Sequence, residues 1–190
     1  MRPTIKAYCN SYDPLICKLS VKQIGLSLEF VKNQTAEICK LAVQENTYNL
    51  QYVKNQTEEI CKLAIKQNWS ALQYIKNQTD DLCKFAIIQN SYAIQFVKDQ
   101  KVELCELAVN KNGLSLEFIH IQTNGICELA IRQNTNAFQF VKNKTVEIYN
   151  VYESVLLKNN EQTENYKNMI DILHKKIETL QPKIPKIPKK

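Results

Sequence analysis

The strongest constraint on the fold is a 22-residue repeat that runs through most of the chain without an insertion. Its marker is a cysteine that always follows Ile or Leu, at Cys17, Cys39, Cys61, Cys83, Cys105 and Cys127. A period of this length is typical of solenoids, in which each short unit buries its apolar face against the next because no unit is stable alone. The sequence therefore predicts six stacked units over residues 13–144.

Each unit opens with a helix-start signal. The first position holds a Thr in most copies and Asp or Lys in the others: Asp13, Thr35, Thr57, Thr79, Lys101, Thr123 and Thr145. Thr or Asp before an apolar run, with Pro14 after Asp13, is an N-cap pattern, and acids such as Glu59 follow in the first turn. We expect each helix to end in a left-handed residue at Asn46, Asn68, Asn90, Asn112 and Asn134, with Gly113 next to one of them.

Each unit is then predicted to hold a second, shorter helix, because its apolar residues follow helical spacings of three and four, as from Asn49 and Leu50 to Val53. The fold class is therefore all-α, a solenoid of αα-hairpins. The alternative is a leucine-rich-repeat-like α/β solenoid, whose strand pattern Leu50-x-Tyr52-x-x-Asn55 matches. Against it, Thr47 stands where that repeat expects Leu.

The repeat fades at the chain ends. Residues 1–12 are predicted to be an N-terminal cap segment, and residues 145–160 a degenerate seventh unit in which Tyr149 replaces the cysteine. Residues 161–180 carry a two-heptad apolar stripe: Tyr166, Ile170, Leu173, Ile177 and Leu180. We expect this helix to dock on the last repeat, with homo-oligomerisation through residues 166–180 as the alternative. Residues 181–190 form a tail rich in Pro and Lys, expected to be extended.

The repeated phrase resembles a known family. Ala71-Leu72-x-Tyr74-Ile75, together with Ile60-Cys61-Lys62-Leu63-Ala64-Ile65 before Gln67-Asn68, is similar to the short helical repeats of an uncharacterised domain family common in giant DNA viruses and some bacteria. The resemblance covers about residues 13 to 150. It implies a helical-repeat fold, and because the family has no established activity it implies no catalytic residue. Lys far outnumbers Arg, which agrees with the A/T-rich coding genomes of those viruses.

No motif in the sequence predicts catalysis, a metal site or a cofactor. His120 and His174 stand in unrelated segments, and there is no Gly-rich phosphate loop. The repeated cysteines are predicted to be buried packing residues, since units stacked roughly 8–10 Å apart place their Cα atoms too far apart for disulfides. Cys9, which lies outside the repeat, is the predicted reactive thiol. The recurring Asn and Gln either lie exposed or form stacked ladders that satisfy backbone groups.

The expected location is inside the cell. No apolar run is long enough to span a membrane, and no apolar signal core follows Met1, so we expect neither membrane insertion nor secretion. The cytoplasm is the predicted compartment, with the nucleus as the alternative that the basic tail suggests.

Binding is the function class that remains. The variable turn positions should place Tyr48, Trp69 and Tyr92 on one edge of consecutive repeats, and exposed aromatic residues are enriched at protein interfaces. The alternative is that these rings only pack neighbouring turns. The sequence thus predicts a noncatalytic protein–protein interaction scaffold whose unidentified partner is a host or viral protein.

The second hypothesis for binding is a nucleic-acid-binding solenoid. A repeated basic position predicts an anion-binding ridge: Lys32, Lys54, Lys76, Lys98 and Lys142. Such a row could follow the phosphates of a strand. The scarcity of Arg weakens this hypothesis, because Arg is preferred for bidentate phosphate contacts. So does the tail, which supplies much of the net charge of +6.

Overall fold

The computed structural model describes residues 14–23, 25–158 and 164–180, and within these ranges every regular element is helical. The α-helices are α1 (Pro14–Gln23), α2 (Ala36–Glu45), α3 (Glu58–Gln67), α4 (Asp80–Gln89), α5 (Val102–Lys111), α6 (Asn124–Gln133), α7 (Val146–Lys158) and α8 (Glu164–Leu180). Six 3₁₀ helices alternate with the first six: η1 (Gly25–Phe30), η2 (Thr47–Tyr52), η3 (Trp69–Tyr74), η4 (Ser91–Phe96), η5 (Gly113–Phe118) and η6 (Thr135–Phe140).

This architecture confirms the all-α solenoid of helical hairpins. The leucine-rich-repeat alternative is wrong, because Leu50 and Tyr52, which it assigns to a strand, lie in η2. The second helix of each unit is 3₁₀ rather than α, which suits its six residues since 3₁₀ helices are short. The predicted segments 1–12 and 181–190 lie outside the described residues.

The chain divides into two compact units, one ending at Leu104 and the other beginning at Cys105. In the first unit, α1 to α4 pack side by side in chain order, and so do η1 to η4. In the second, η5 packs beside η6, α6 beside α7, and α7 beside α8.

The predicted N-caps are confirmed at the threonines. The Thr35 hydroxyl accepts a hydrogen bond from the backbone N–H of Ile38 at 3.3 Å. The same bond, from the N–H three residues on, recurs at Thr57, Thr79, Thr123 and Thr145. A hydroxyl at this position satisfies a helix N–H that has no partner within the helix, which is why the helices begin where the sequence indicates.

The left-handed ending expected at the repeated Asn is wrong. Asn46 is extended, with φ −158° and ψ 122°, and its side-chain oxygen accepts from the N–H of Tyr48 at 2.9 Å. It closes α2 and caps η2 at once, so the chain needs no left-handed residue between them. Gly113 is not left-handed either: a Cβ there would lie 2.3 Å from the Ala130 carbonyl oxygen, so close backbone approach requires this glycine.

The core has one layer from each helix type. One repeat shows the pattern. Its buried residues are Ile60, Cys61, Ala64 and Ile65 of α3, together with Ala71 and Leu72 of η3. The six repeated cysteines are all buried free thiols. This confirms their predicted packing role, in which Cys behaves as a small apolar side chain.

A glutamine ladder joins neighbouring repeats. The Gln78 amide nitrogen donates to the Leu72 carbonyl in its own repeat at 3.0 Å and to the Phe96 carbonyl in the next at 2.9 Å. Its oxygen accepts from the Lys98 backbone N–H at 2.9 Å. The same three bonds are made by Gln34, Gln56 and Gln122. The ladder alternative predicted for the repeated polar residues is therefore confirmed for Gln.

The C-terminal helices cover the last repeat. Tyr149 and Leu156 of α7 form a buried cluster with Leu173 and Ile177 of α8. The apolar stripe therefore docks within the chain at these two positions, as expected from its spacing. The side chains of Tyr166 and Ile170 lie outside the part described, and Leu180 is exposed. Among the described helices, none has the length and hydropathy of a transmembrane segment.

The ladder predicts an uneven sensitivity to Gln substitution. Gln78→Ala removes three hydrogen bonds in a partly buried place: the Phe96 carbonyl and the Lys98 N–H lose the partner that Gln78 provides, whereas the Leu72 carbonyl keeps its bond from the Ile75 N–H. We therefore expect a loss of about 2–4 kcal/mol in the free energy of unfolding. Gln73→Ala is the matched control, because that amide makes one exposed local bond, to the Ser70 carbonyl, and should change stability by no more than about 0.5 kcal/mol. Urea unfolding followed by circular dichroism measures both. Equal losses in the two variants would contradict the structural role of the ladder.

Candidate protein-binding surface

The 3₁₀ helices of the first unit present a row of aromatic side chains. The last residue of each is aromatic: Phe30, Tyr52, Tyr74 and Phe96. The next residue is fully or almost fully buried in every case, as Val53 is after Tyr52. Since the chain turns its apolar side chain inward at Val53, the ring before it is directed away from the core, and Tyr52 and Tyr74 are only half-buried.

Two further aromatic residues pack onto this row. The Tyr48 ring lies edge-on to Tyr52, at 6.1 Å between ring centroids, and edge-on to Tyr74 of the next repeat at 5.3 Å. The Trp69 ring lies 5.9 Å from that of Phe96, also one repeat on. We call these five residues, Tyr48, Tyr52, Trp69, Tyr74 and Phe96, the aromatic surface.

Tyr48 and Trp69, two of the aromatic residues predicted from the turns, belong to this surface. Tyr48 and Trp69 both contact rings of the following repeat, which is the packing arrangement considered as the alternative. They also remain accessible: Tyr48 is 41% exposed and Trp69 is half-buried. Tyr92 is half-buried in η4. The Tyr48 and Trp69 rings therefore pack against the next repeat and still keep part of their surface accessible.

Sequence reasoning missed the contribution of Tyr52, Tyr74 and Phe96. A helical pattern of period 3.6 does not distinguish these residues from buried ones such as Leu50. The available signal was that this position stays aromatic in every repeat, whereas the buried positions hold aliphatic residues.

The predicted lysine row is present beside the aromatic surface, with an unexpected role. The Lys98 ammonium donates to the Lys76 carbonyl at 2.9 Å and to the Ile75 carbonyl at 3.0 Å, both in the preceding repeat. The same reach to the preceding repeat is made by Lys54, Lys76 and Lys142. These side chains satisfy carbonyls at the ends of the 3₁₀ helices, and they are exposed. Lys32 is exposed at the first of these positions.

The α-helices carry charges that cancel. Lys40 pairs with Glu59 of the next repeat at 2.6 Å, Lys101 pairs with Asp80 at 2.7 Å, and Lys18 pairs with Glu37. In contrast, no ion pair of the described residues includes Lys54, Lys76 or Lys98. The acidic residues at the helix starts are thus partly neutralised, whereas Lys54, Lys76 and Lys98 have no carboxylate partner among the described residues.

The described residues contain no group of three or more His, Cys, Asp and Glu side chains arranged to hold a metal ion. His174 contacts the Glu153 carboxylate at 2.7 Å, which links α8 to α7. His120 stands at the lysine position of its repeat and is exposed.

Comparison with protein families finds a similarity over two of the repeats. Residues 35–79 are similar to a family described as Domain of unknown function (DUF4116). The matched segment runs from the N-cap Thr35 to the N-cap Thr79 and so contains two complete repeats, with Tyr48 and Trp69 in them. The curated proteins gave no match, and neither did the solved structures. The similarity is therefore to an uncharacterised domain and brings no activity with it.

The buried cysteines predict a stability that falls in alkaline solution. Burial raises the pKa of Cys61, Cys83 and Cys105 from 9.0 to about 11. Above the lower value the unfolded chain loses thiol protons that the folded chain keeps, so the free energy of unfolding falls as the pH rises from 9.0 to about 11. Because other side chains also titrate there, Cys83→Ala is the comparison: urea unfolding should show a smaller alkaline loss in this variant. An identical loss would contradict the prediction.

Proposed function

We propose that this chain is a noncatalytic protein-binding scaffold that contacts its partner through the aromatic surface of its first unit. One observation carries the proposal: five aromatic rings lie on three consecutive 3₁₀ helices in two contacting groups, and the most exposed, Tyr48, keeps 41% of its surface accessible. Tyr and Trp are the residue types most enriched among those that dominate binding energy at protein interfaces.

The backbone beneath these rings is held firmly. The carbonyls of Tyr52, Tyr74 and Phe96 each accept a hydrogen bond from a ladder glutamine of the preceding repeat. Rings whose backbone is fixed before binding lose less conformational entropy when a partner arrives. Aromatic side chains also have few rotatable bonds, which favours them as anchors for the same reason.

Nucleic-acid binding is the second candidate, and it is favoured by Lys54, Lys76 and Lys98, which have no carboxylate partner among the described residues. It ranks lower because the row contains no Arg, which gives stronger bidentate contacts with phosphate. We propose no catalytic step, and a giant-virus origin with a host or viral partner remains part of the proposal rather than a finding.

The test compares two double variants of the full chain. In Tyr48→Ala/Trp69→Ala the aromatic surface loses its two added rings. In Leu19→Ala/Ile88→Ala two residues of similar exposure, 55% and 53%, are removed from α-helices of the same unit. Both are used for affinity capture from host-cell lysate, with and without nuclease, at low and moderate salt. Circular dichroism confirms folding.

We expect a discrete protein that survives nuclease and moderate salt, with at least about tenfold less recovered by the aromatic variant and no loss in the control. Capture of nucleic acid alone, lost at moderate salt and unchanged in the aromatic variant, would instead establish the second candidate. A partner lost equally from both variants would refute the aromatic surface as the contact site.

A further inference from the structure

We propose that the lysine row and the aromatic surface act together as a site for an acidic peptide in the polyproline II conformation, with a carboxylate at every third residue. This inference rests on the proposed function, because it names the chemical class of the partner that the scaffold takes. Its basis is the adjacency, charge and spacing of the two rows within the first unit.

The two rows lie next to each other. Val53 is extended, with φ −68° and ψ 119°, and has no exposed surface. In an extended segment the side chains of successive residues point to opposite faces, so Tyr52 and Lys54, on either side of Val53, share the outer face. Ile75 and Val97 are extended in the same way, between Tyr74 and Lys76 and between Phe96 and Lys98.

The charges of Lys54, Lys76 and Lys98 are held in position, and no ion pair of the described residues neutralises them. The Lys54 ammonium donates to the Lys32 carbonyl at 2.9 Å and to the Val31 carbonyl at 3.3 Å, which leaves one of its three N–H groups for a partner. A carboxylate placed there would form a charge-assisted hydrogen bond with a donor whose position is already set. A groove of about 440 Å³ runs between Lys32 and Lys54 and gives such a group room to approach.

The spacing selects the conformation of the peptide. Neighbouring helices pack roughly 8–10 Å apart, which sets the distance between successive lysines of the row. A polyproline II helix has three residues per turn and rises about 3.1 Å per residue, so it presents the same face about every 9 Å. A β-strand presents the same face about every 7 Å and would lose register after one or two repeats. Polyproline II is therefore the conformation that fits: an acidic residue in each turn of the peptide lies opposite the lysine of one repeat.

The aromatic surface suits the same ligand. Polyproline II segments dock in grooves lined by aromatic rings, and their backbone carbonyls have no internal hydrogen bonds. The T-shaped pair of Tyr48 and Tyr74 spans two repeats, as does the pair of Trp69 and Phe96. Trp69 can donate its indole N–H to a ligand carbonyl, since no acceptor for it occurs among the described residues. Rings and lysines therefore offer complementary contacts along one line.

The experiment measures binding of labelled synthetic peptides to the full chain by fluorescence anisotropy at low salt. The probe is four repeats of Glu-Pro-Pro. One comparison peptide has the same composition with its glutamates clustered at one end, another has Lys in place of Glu, and an oligothymidine provides the nucleic-acid arm. We expect the regular peptide to bind at least about tenfold more tightly than the clustered one, because only the regular spacing matches the lysine row. Trp69, the single tryptophan, should change its emission on binding.

Two variants place the contact on the protein. Lys76→Gln removes a charge from the row, and Lys84→Gln removes one from the exposed side of α4. We expect a loss of about three- to tenfold in affinity for the regular peptide in the first and none in the second. Because Lys76 also bonds carbonyls, thermal unfolding is recorded for both. The peptide comparison uses the unaltered chain and holds whether or not this variant folds.

Equal affinity for the regular and clustered glutamate peptides would overturn the inference, as would tighter binding of oligothymidine. The proposed function has a separate readout: a protein partner that depends on Tyr48 and Trp69 but shows no competition by the regular peptide would leave the scaffold intact and refute only the peptide class.

Discussion

The structure depends on how the ends of the 3₁₀ helices satisfy their carbonyl groups. A short helix leaves its last carbonyls without partners inside the helix, and in this chain side chains of the preceding and the following repeat supply donors. Ladder glutamines such as Gln78 bond a carbonyl in their own repeat and another in the next, and lysines such as Lys98 reach back to two more. Apolar burial holds the units together, but these directional bonds fix the register in which they stack.

The same bonds position the candidate site. The aromatic residues that end the 3₁₀ helices have their carbonyls in the ladder, so their side chains emerge at one regular interval. The lysines that complete the bonding are themselves exposed, and they carry a charge that nearby carbonyl dipoles orient without cancelling. The side chains that stabilise the stack therefore lie next to those that could contact a partner. In the lysine row, the same residues have both roles.

Much of the fold could be predicted from the sequence because its signals are local. A Thr three residues before the first buried apolar residue defines a helix start through one hydrogen bond, and the cysteine period sets the number of units. The wrong prediction concerned the backbone at the repeated Asn, where two local conformations are possible. Asn is equally compatible with a left-handed ending and with an extended cap. Asn46 adopts the extended cap because η2 begins at the very next residue. Of the aromatic surface only Tyr48 and Trp69 were predicted, because the contact between Tyr48 and Tyr74 joins different repeats and depends on stacking that no single segment encodes.

One departure from the repeat has a consequence for how such chains change in length. At the ladder position of the last full repeat, Lys144 replaces Gln, and its ammonium turns back to the Val141 carbonyl at 2.6 Å, beside the Phe138 ring. This side chain closes its own repeat and offers no amide oxygen to a following one. A 22-residue block gained or lost before Lys144 keeps a ladder glutamine beside each following repeat. A repeat inserted directly after Lys144 would lack the three hydrogen bonds that this glutamine makes, so one lysine weakens growth of the stack in that direction.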